Sequence, residues 1–161
     1  MRYRYIDQTS DLGVEILGKD LPELFANASF TMFDNILHLG CVVARESRAI
    51  ELKAGSLEEL FMDWLRELLF RFSTEYFVVK EVTNTRIEGG PGQAQATAVS
   101  SHSLGLGACA DAPWRLAATV KGEKFDPNRH QVKIEIKTPT YHMFKIVRDG
   151  ASYRATVVFD V

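Results

Sequence analysis

Apolar residues recur along this chain with two periods, and the switches between them mark its elements. Tyr3 and Tyr5, then Val14 and Ile16, alternate with polar or small residues, which predicts two short strands about a turn at residues 8–12. From Leu21 the period becomes helical, with Leu24, Phe25, Ala28, Met32 and Ile36 on the same face. Asp20 stands as N-cap, Pro22 lies in the first turn and Glu23 follows three residues after the cap. The spacing predicts a helix over 21–39 that stops near Gly40. A strand around 49–53 comes next. Ser56 and Glu59 repeat the capping signature, and Leu57, Leu60, Phe61, Trp64, Leu65, Leu68, Leu69 and Phe72 form the wide stripe of a second, core-facing helix. Residues 77–82 and 85–88 read as two further strands.

From 89 to 113 the chain is rich in Gly, Ala, Ser and Gln without a sustained period, which predicts an exposed loop insertion. The final third returns to strand pattern. Leu116, Ala118 and Val120 alternate, as do Val132, Ile134 and Ile136 against Lys133, Glu135 and Lys137. Asp149-Gly150 is a two-residue hairpin signal between 143–148 and 152–161, whose Tyr153, Ala155, Val157 and Phe159 share a face. The expected fold is α+β, a compact single domain over 1–161 with two helices packed on mainly antiparallel sheet.

Composition narrows the class without changing the fold. With 161 residues, 46% hydrophobic and 25% charged, the chain has the make-up of an ordinary globular domain. The start, Met1-Arg2-Tyr3-Arg4-Tyr5-Ile6-Asp7, has no apolar signal core, and no run reaches the roughly 18 apolar residues of a membrane helix. Cys41 and Cys109 stand apart without CxxC spacing and read as buried or idle thiols. A cytoplasmic location without membrane contact is the expectation. The net charge of −2 hides an asymmetry: residues 115–154 carry nine basic and four acidic side chains, so the balance there is +5 against −7 elsewhere. Such a field steers a partner or polyanion, or else its lysines solvate an exposed sheet face. Neither half interleaves aromatic and basic residues as a dedicated RNA-binding module does.

Signals for autonomous catalysis are missing from the sequence. GK(S/T) loops, GxSxG, HExxH and paired CxxC do not occur, and Gly105-Leu106-Gly107 is only a fragment of a glycine loop. His38, His102, His130 and His142 are scattered and read as surface or hydrogen-bonding residues. The carboxylates offer more. Asp7 and Asp11 share a turn, and Asp160 precedes Val161, whose α-carboxylate is a further hard oxygen donor. Should the last strand run beside the first, Asp11, Asp160 and Val161 converge. An all-oxygen anionic set suits Ca2+ or Mg2+, with Mn2+ as a further alternative. The competing reading makes Asp160-Val161 a frayed end, and Asp7 and Asp11 ordinary turn carboxylates.

Five segments carry a family resemblance. Asp7-Gln8-Thr9-Ser10-Asp11-Leu12-Gly13 is similar to the archease opening D-H-T-A-D-(V/I)-G. Leu57-Glu58-Glu59-Leu60 with Asp63-Trp64-Leu65 and Glu67-Leu68-Leu69 looks like the family's second helix. Gly122-Glu123-Lys124-Phe125-Asp126-Pro127-Asn128-Arg129-His130 resembles its G-E-x-(F/Y)-D-x-x-(R/K)-H segment. Lys137 with Thr140-Tyr141-His142 matches K-x-x-T-Y-H, and Phe159-Asp160-Val161 resembles the D-(I/V) ending. The resemblance implies the compact α+β archease fold and a metal site on Asp11, Asp160 and the Val161 carboxylate, with Asp7 supporting. It implies a metal-binding accessory protein, not an enzyme, whose partner is an RtcB-type RNA ligase and which meets RNA only through that ligase. The ligase would be helped through GTP-dependent guanylylation and repeated turnover in tRNA splicing or RNA repair, with Lys137, Tyr141 and His142 as possible contact residues. A chaperone-like modulator of an RNA-modifying enzyme such as a tRNA methyltransferase is the alternative. Gln8 departs from the family's usual His; it hydrogen-bonds but does not titrate.

Overall fold

A computed structural model describes residues 1–90 and 114–161, so the expected insertion, with His102, Gly105-Leu106-Gly107 and Cys109, lies outside the described residues except for Gly89 and Gly90. Strands β1 (Tyr3–Ile6) and β2 (Leu12–Gly18) precede helix α1 (Leu21–Ile36), strand β3 (Glu46–Ala54) and helix α2 (Leu57–Glu75). Strands β4 (Phe77–Glu88), β5 (Trp114–Lys124), β6 (Thr138–Asp149) and β7 (Ser152–Asp160) follow. Both caps form where the sequence places them. The Asp20 carboxylate accepts from Glu23 N–H at 2.8 Å, and Ser56 Oγ accepts from Glu59 N–H at 3.1 Å. Glu59 reaches back one residue further than a capping box requires, to the Gly55 N–H at 3.1 Å. No helix among the described residues is long and apolar enough to cross a membrane.

The strands form two antiparallel sheets, β1-β2-β7-β6 and β3-β5-β4. Both helices are shared between them: α1 packs on β2, β7 and β4, whereas α2 packs on β6 and on all three strands of the smaller sheet. The α+β expectation holds, with the sheet divided in two. Trp64 is fully buried and donates Nε1–H to the Phe25 carbonyl at 2.9 Å, tying α2 to α1. Phe61 meets Phe25 edge-on at 5.1 Å and stacks on Phe144 of β6 at 5.8 Å, so one ring joins both helices to the larger sheet. On β1, the Tyr3 and Tyr5 hydroxyls donate to Asp34 and Asn35 of α1, each at 2.9 Å. Burial, reinforced by the bonds to Tyr5 and Asp34, pushes the Tyr3 phenol above its ordinary range.

Four boundaries differ from the sequence expectation. Helix α1 ends at Ile36, because Leu37 turns extended and bridges Val132; residues 39–41 form a short 3₁₀ turn with Cys41 exposed. The alternating Val132, Ile134 and Ile136 form no strand. Their backbone is spent elsewhere: Lys133 N–H donates to the Ile36 carbonyl at 2.7 Å, His38 N–H donates to Gln131, and Lys133 Nζ reaches the Asp34 carbonyl at 2.7 Å. The segment thus satisfies carbonyls that a helix C-terminus leaves orphaned; Ile136 is buried in the core, Ile134 packs partly buried against it, and Val132 is exposed. Residues 77–82 and 85–88 are one strand, β4, whose register slips near Glu81 and again at Asn84, where φ is 52°. The final hairpin turns on Gly150-Ala151, one residue later than expected, since Asp149 still pairs with Ser152 and Gly150 takes φ 64°.

Between β5 and the 131–137 segment lies a buried polar clamp. Glu123 is 4% exposed and His130 3%. The Glu123 carboxylate accepts from Val43 N–H at 2.6 Å, from Arg129, and from His130 Nε2 at 3.3 Å. His130 Nδ1 accepts from Asp126 N–H at 2.8 Å, which fixes the ring proton on Nε2, facing Glu123. Burial alone raises the Glu123 carboxyl, but these bonds outweigh it and bring the group from its ordinary 4.5 down to about 2. The clamp is therefore fully formed above pH 4.5 and is lost as pH falls through about 2. Glu123→Gln is expected to cost about 2 kcal/mol at neutral pH, the scale of hydrogen bonds to a charged group. The gap between the proteins should shrink as acid titrates the wild-type carboxyl. Urea unfolding of both proteins at pH 7 and pH 3 measures this, and an equal gap at both values would contradict it.

Candidate functional site

The pairing of β2 with β7 runs from Gly18–Tyr153 to Leu12–Phe159, and Asp11 and Asp160 are the next residues of their segments beyond that last pair. β6 pairs with β7 from Thr138–Asp160, and Lys137 N–H donates to the Asp160 carbonyl at 2.8 Å. Asp11, Asp160, Val161 and Lys137 thus belong to the same end of the sheet. The alternation that buries Val157 and Phe159 turns Val158 and Asp160 to the face opposite the helices. Asp7 is exposed in the adjoining turn, Asp160 is half-buried and Val161 is 37% exposed.

Two irregularities frame this end. Between Thr140–Val158 and Lys145–Thr156 the β6–β7 register skips, so residues 141–144 bulge from the edge strand. The bulge carries Met143 at φ 57° and exposes Tyr141, His142 and Met143. Tyr141 lies under the Arg66 guanidinium of α2 at 5.1 Å and edge-on to Phe144 at 5.9 Å. The second irregularity is the β1–β2 turn, which folds back over Gly13. A Cβ on Gly13 would stand 2.6 Å from Ile6 Cγ1 and 2.7 Å from Gln8 Cγ, so only glycine leaves room for the crossing side chains. Beyond Gly13, Gln8 Nε2 donates to Met143 Sδ at 3.2 Å.

Glu15 of β2 is committed to Arg4 and to Arg154 at 3.4 Å, whereas Asp11 and Asp160 enter no ion pair with the described residues. Oxygen donors uncommitted to a cationic side chain fit a hard divalent ion in ligand type. Among the described residues no three His, Cys, Asp or Glu side chains gather into a ready cage; the expected set has two side chains and a chain-end carboxylate. The basic excess of 115–154 does not form one patch. Arg129 serves Glu123 and Asp126, Lys133 faces Asp34, and Arg115 and Lys121 stand on the smaller sheet. Sequence reasoning assigned no role to Glu123 or Met143. The Glu123 clamp leaves a trace in the spacing of Glu123, Asp126, Arg129 and His130, but nothing in the sequence marks the backbone of Met143.

Two helices on two antiparallel sheets, with uncommitted acids at one sheet end, define the class as a small α+β protein organised about that end. Residues 3–161 match the family model described as "Archease protein family (MTH1598/TM1083)", and the chain belongs to the archease family. It is 31% identical to the archease of Methanosarcina barkeri over 99% of this chain and 96% of that one. It is 29% identical to that of Archaeoglobus fulgidus over the whole of both chains. The solution structure of Methanobacterium thermoautotrophicum protein 1598 superposes with a TM-score of 0.74 at 27% identity, covering 99% of each chain. The crystal structure of "an archease, possible chaperone" from Thermotoga maritima shares the fold, with a TM-score of 0.57 at 21% identity over 98% of this chain and 96% of that one.

The crossing at Gly13 is open to a direct test. Gly13→Ala is expected to destabilise the protein by about 1–3 kcal/mol, as overpacking does. Amide hydrogen exchange should quicken across residues 6–11 while α2 stays protected; unchanged exchange in the turn would show that it does not rest on Gly13.

Proposed function

We propose that this chain is a metal-binding accessory protein that activates an RtcB-type RNA ligase. In this reading it promotes the ligase's GTP-dependent guanylylation and its multiple turnover in tRNA splicing or RNA repair. Family membership supports the reading, and the β2–β7–β6 register carries it, because that register brings Asp11, Asp160, Val161 and Lys137 to one end. Asp11, Asp160 and the α-carboxylate of Val161 would hold a divalent cation, Ca2+ first, with Mg2+ or Mn2+ as alternatives. When bound, such an ion supplies concentrated positive charge beside phosphate oxygens. Asp7 adds negative potential without entering the ligand set. Lys137 fixes the end of β7 through its backbone bond to Asp160, and Tyr141 and His142 stand on the exposed bulge as the partner-facing residues.

A second reading, a chaperone-like modulator of an RNA-modifying enzyme such as a tRNA methyltransferase, draws on the description of the Thermotoga maritima relative as a possible chaperone. Co-purification separates the two by naming the partner. The leading reading predicts that multiple-turnover ligation by the cognate ligase rises when this protein is added, together with the guanylylated fraction of the ligase; no change in either would overturn it. For the site, titration calorimetry with Ca2+ is expected to show affinity lowered at least about 10- to 100-fold by Asp11→Asn, by Asp160→Asn and by a C-terminal extension past Val161. Unchanged affinity in all three would sink the ligand set. The extension removes the α-carboxylate without altering any side chain.

A further inference from the structure

Gln8 belongs to the turn between β1 and β2, yet its amide ends at Met143 on β6, the opposite edge of the sheet. The order β1-β2-β7-β6 sets β7 between the two partners: Gln8 Cγ lies over Gly13 on β2, and its amide meets the Met143 sulfur, which belongs to β6. Val158 of β7, paired with Gly13, is 1% exposed although it lies on the face away from the helices, so this stretch of the outer face is covered. The sulfur that receives the amide is held out for it. Met143 sits at φ 57° inside a register skip and is 54% exposed, a costly conformation for a side chain that fills no core. A thioether is a weak acceptor, and the contact by itself contributes little. Its reach is what matters, because it joins the turn that carries Asp7 and Asp11 to the bulge that carries Tyr141 and His142.

We infer that Gln8 is a positioning residue, a strap that transmits cation occupancy at the carboxylate end to the partner-facing bulge of β6. The inference rests on the metal-site reading above and adds its consequence: through Gln8, occupancy of that site would be felt at a surface across the sheet, beyond the ligands themselves. A cation held by Asp11 and Asp160 would draw the two carboxylates together, and the turn between Asp7 and Asp11 would pass that shift through Gln8 to Met143. The amide holds its hydrogen bond without change of charge, so in this chain the link does not switch with pH as an imidazole at the same position would.

Methyl NMR of Met143, with the backbone amides of 141–144, tests the strap in wild type and Gln8→Ala. Without added metal, Gln8→Ala should move the Met143 methyl signal and quicken amide exchange in residues 7–11; no change in either would overturn the strap. With Ca2+, the wild-type Met143 methyl should titrate in step with calorimetric binding. In Gln8→Ala calorimetry should still register binding, within about tenfold of wild type, while the Met143 response is lost. A Met143 response of equal size in Gln8→Ala would overturn the inference and leave the metal site standing. Absence of Ca2+ binding to wild type by calorimetry would overturn the transmitted signal together with the metal reading, and the metal-free comparison would still decide whether the strap exists.

Discussion

The pairing of β7 between β2 and β6 is the constraint on which the rest of the larger sheet depends. Its inward residues, Ala155, Val157 and Phe159, are fully buried against the helices, as are Val14 and Ile16 beside them on β2. A slip of one residue would turn all of them to solvent and bring Thr156 and Val158 inward. The register is therefore fixed by burial, at about 1.5–3 kcal/mol for each large apolar side chain. Everything at the acidic end follows from it. Asp11 and Asp160 follow directly on the last pair of this register, Leu12–Phe159, so core packing sets the sheet end to which both belong.

A second constraint holds the other approach to that end. The 125–137 segment has no regular structure, and such a chain would normally wander. Here it is pinned along its length, by the Glu123–His130 clamp, by Lys133 on the carbonyls at the end of α1, and by Lys137 on Asp160. Each bond also satisfies a group that would otherwise be orphaned, whether a helix-end carbonyl, a buried carboxylate or the last residue of a strand. Lys137 thereby arrives at the acidic end through backbone ties, leaving its ammonium group uncommitted to the fold.

Much of this was legible in the sequence, and the limits have physical causes. The caps at Asp20 and Ser56, the stripe from Leu57 to Phe72 and the inward face of β7 are local patterns read correctly from periodicity and cap chemistry. The alternation at Val132, Ile134 and Ile136 is equally regular and misleads, because strand formation needs a partner with free backbone groups, and here α1 claims them. The Asp149-Gly150 signal is off by one since Gly150 and Ala151, not Asp149, occupy the turn. The acids were visible as residue types, whereas the antiparallel pairing of β2 with β7 that sets their sheet end is a matter of register across the whole chain, which local periodicity leaves open.

The geometry also bears on why such a site should serve a partner. Autonomous catalysis draws on a concave, water-excluding cleft in which acid, base and substrate are held together. The carboxylate end of this sheet is the reverse: Tyr141, Met143 and Val161 are exposed around it, and the bulge projects from an edge strand. A depression of about 430 Å³ lies between α1 and β4, lined by Arg2, Ser29, Phe30 and Lys80. An exposed donor set gains little from its own low dielectric, because water screens it. Inserted into another protein's cleft it would lose that water, and the same carboxylates would act at full strength on whatever charge the cleft contains. Tyr and Arg, which dominate the energetics of protein interfaces, stand at the rim as Tyr141 and Arg66, already stacked on one another and so with less entropy left to lose on docking. In the reading proposed above, a site that is weak alone and strong when buried by a partner would suit an activator.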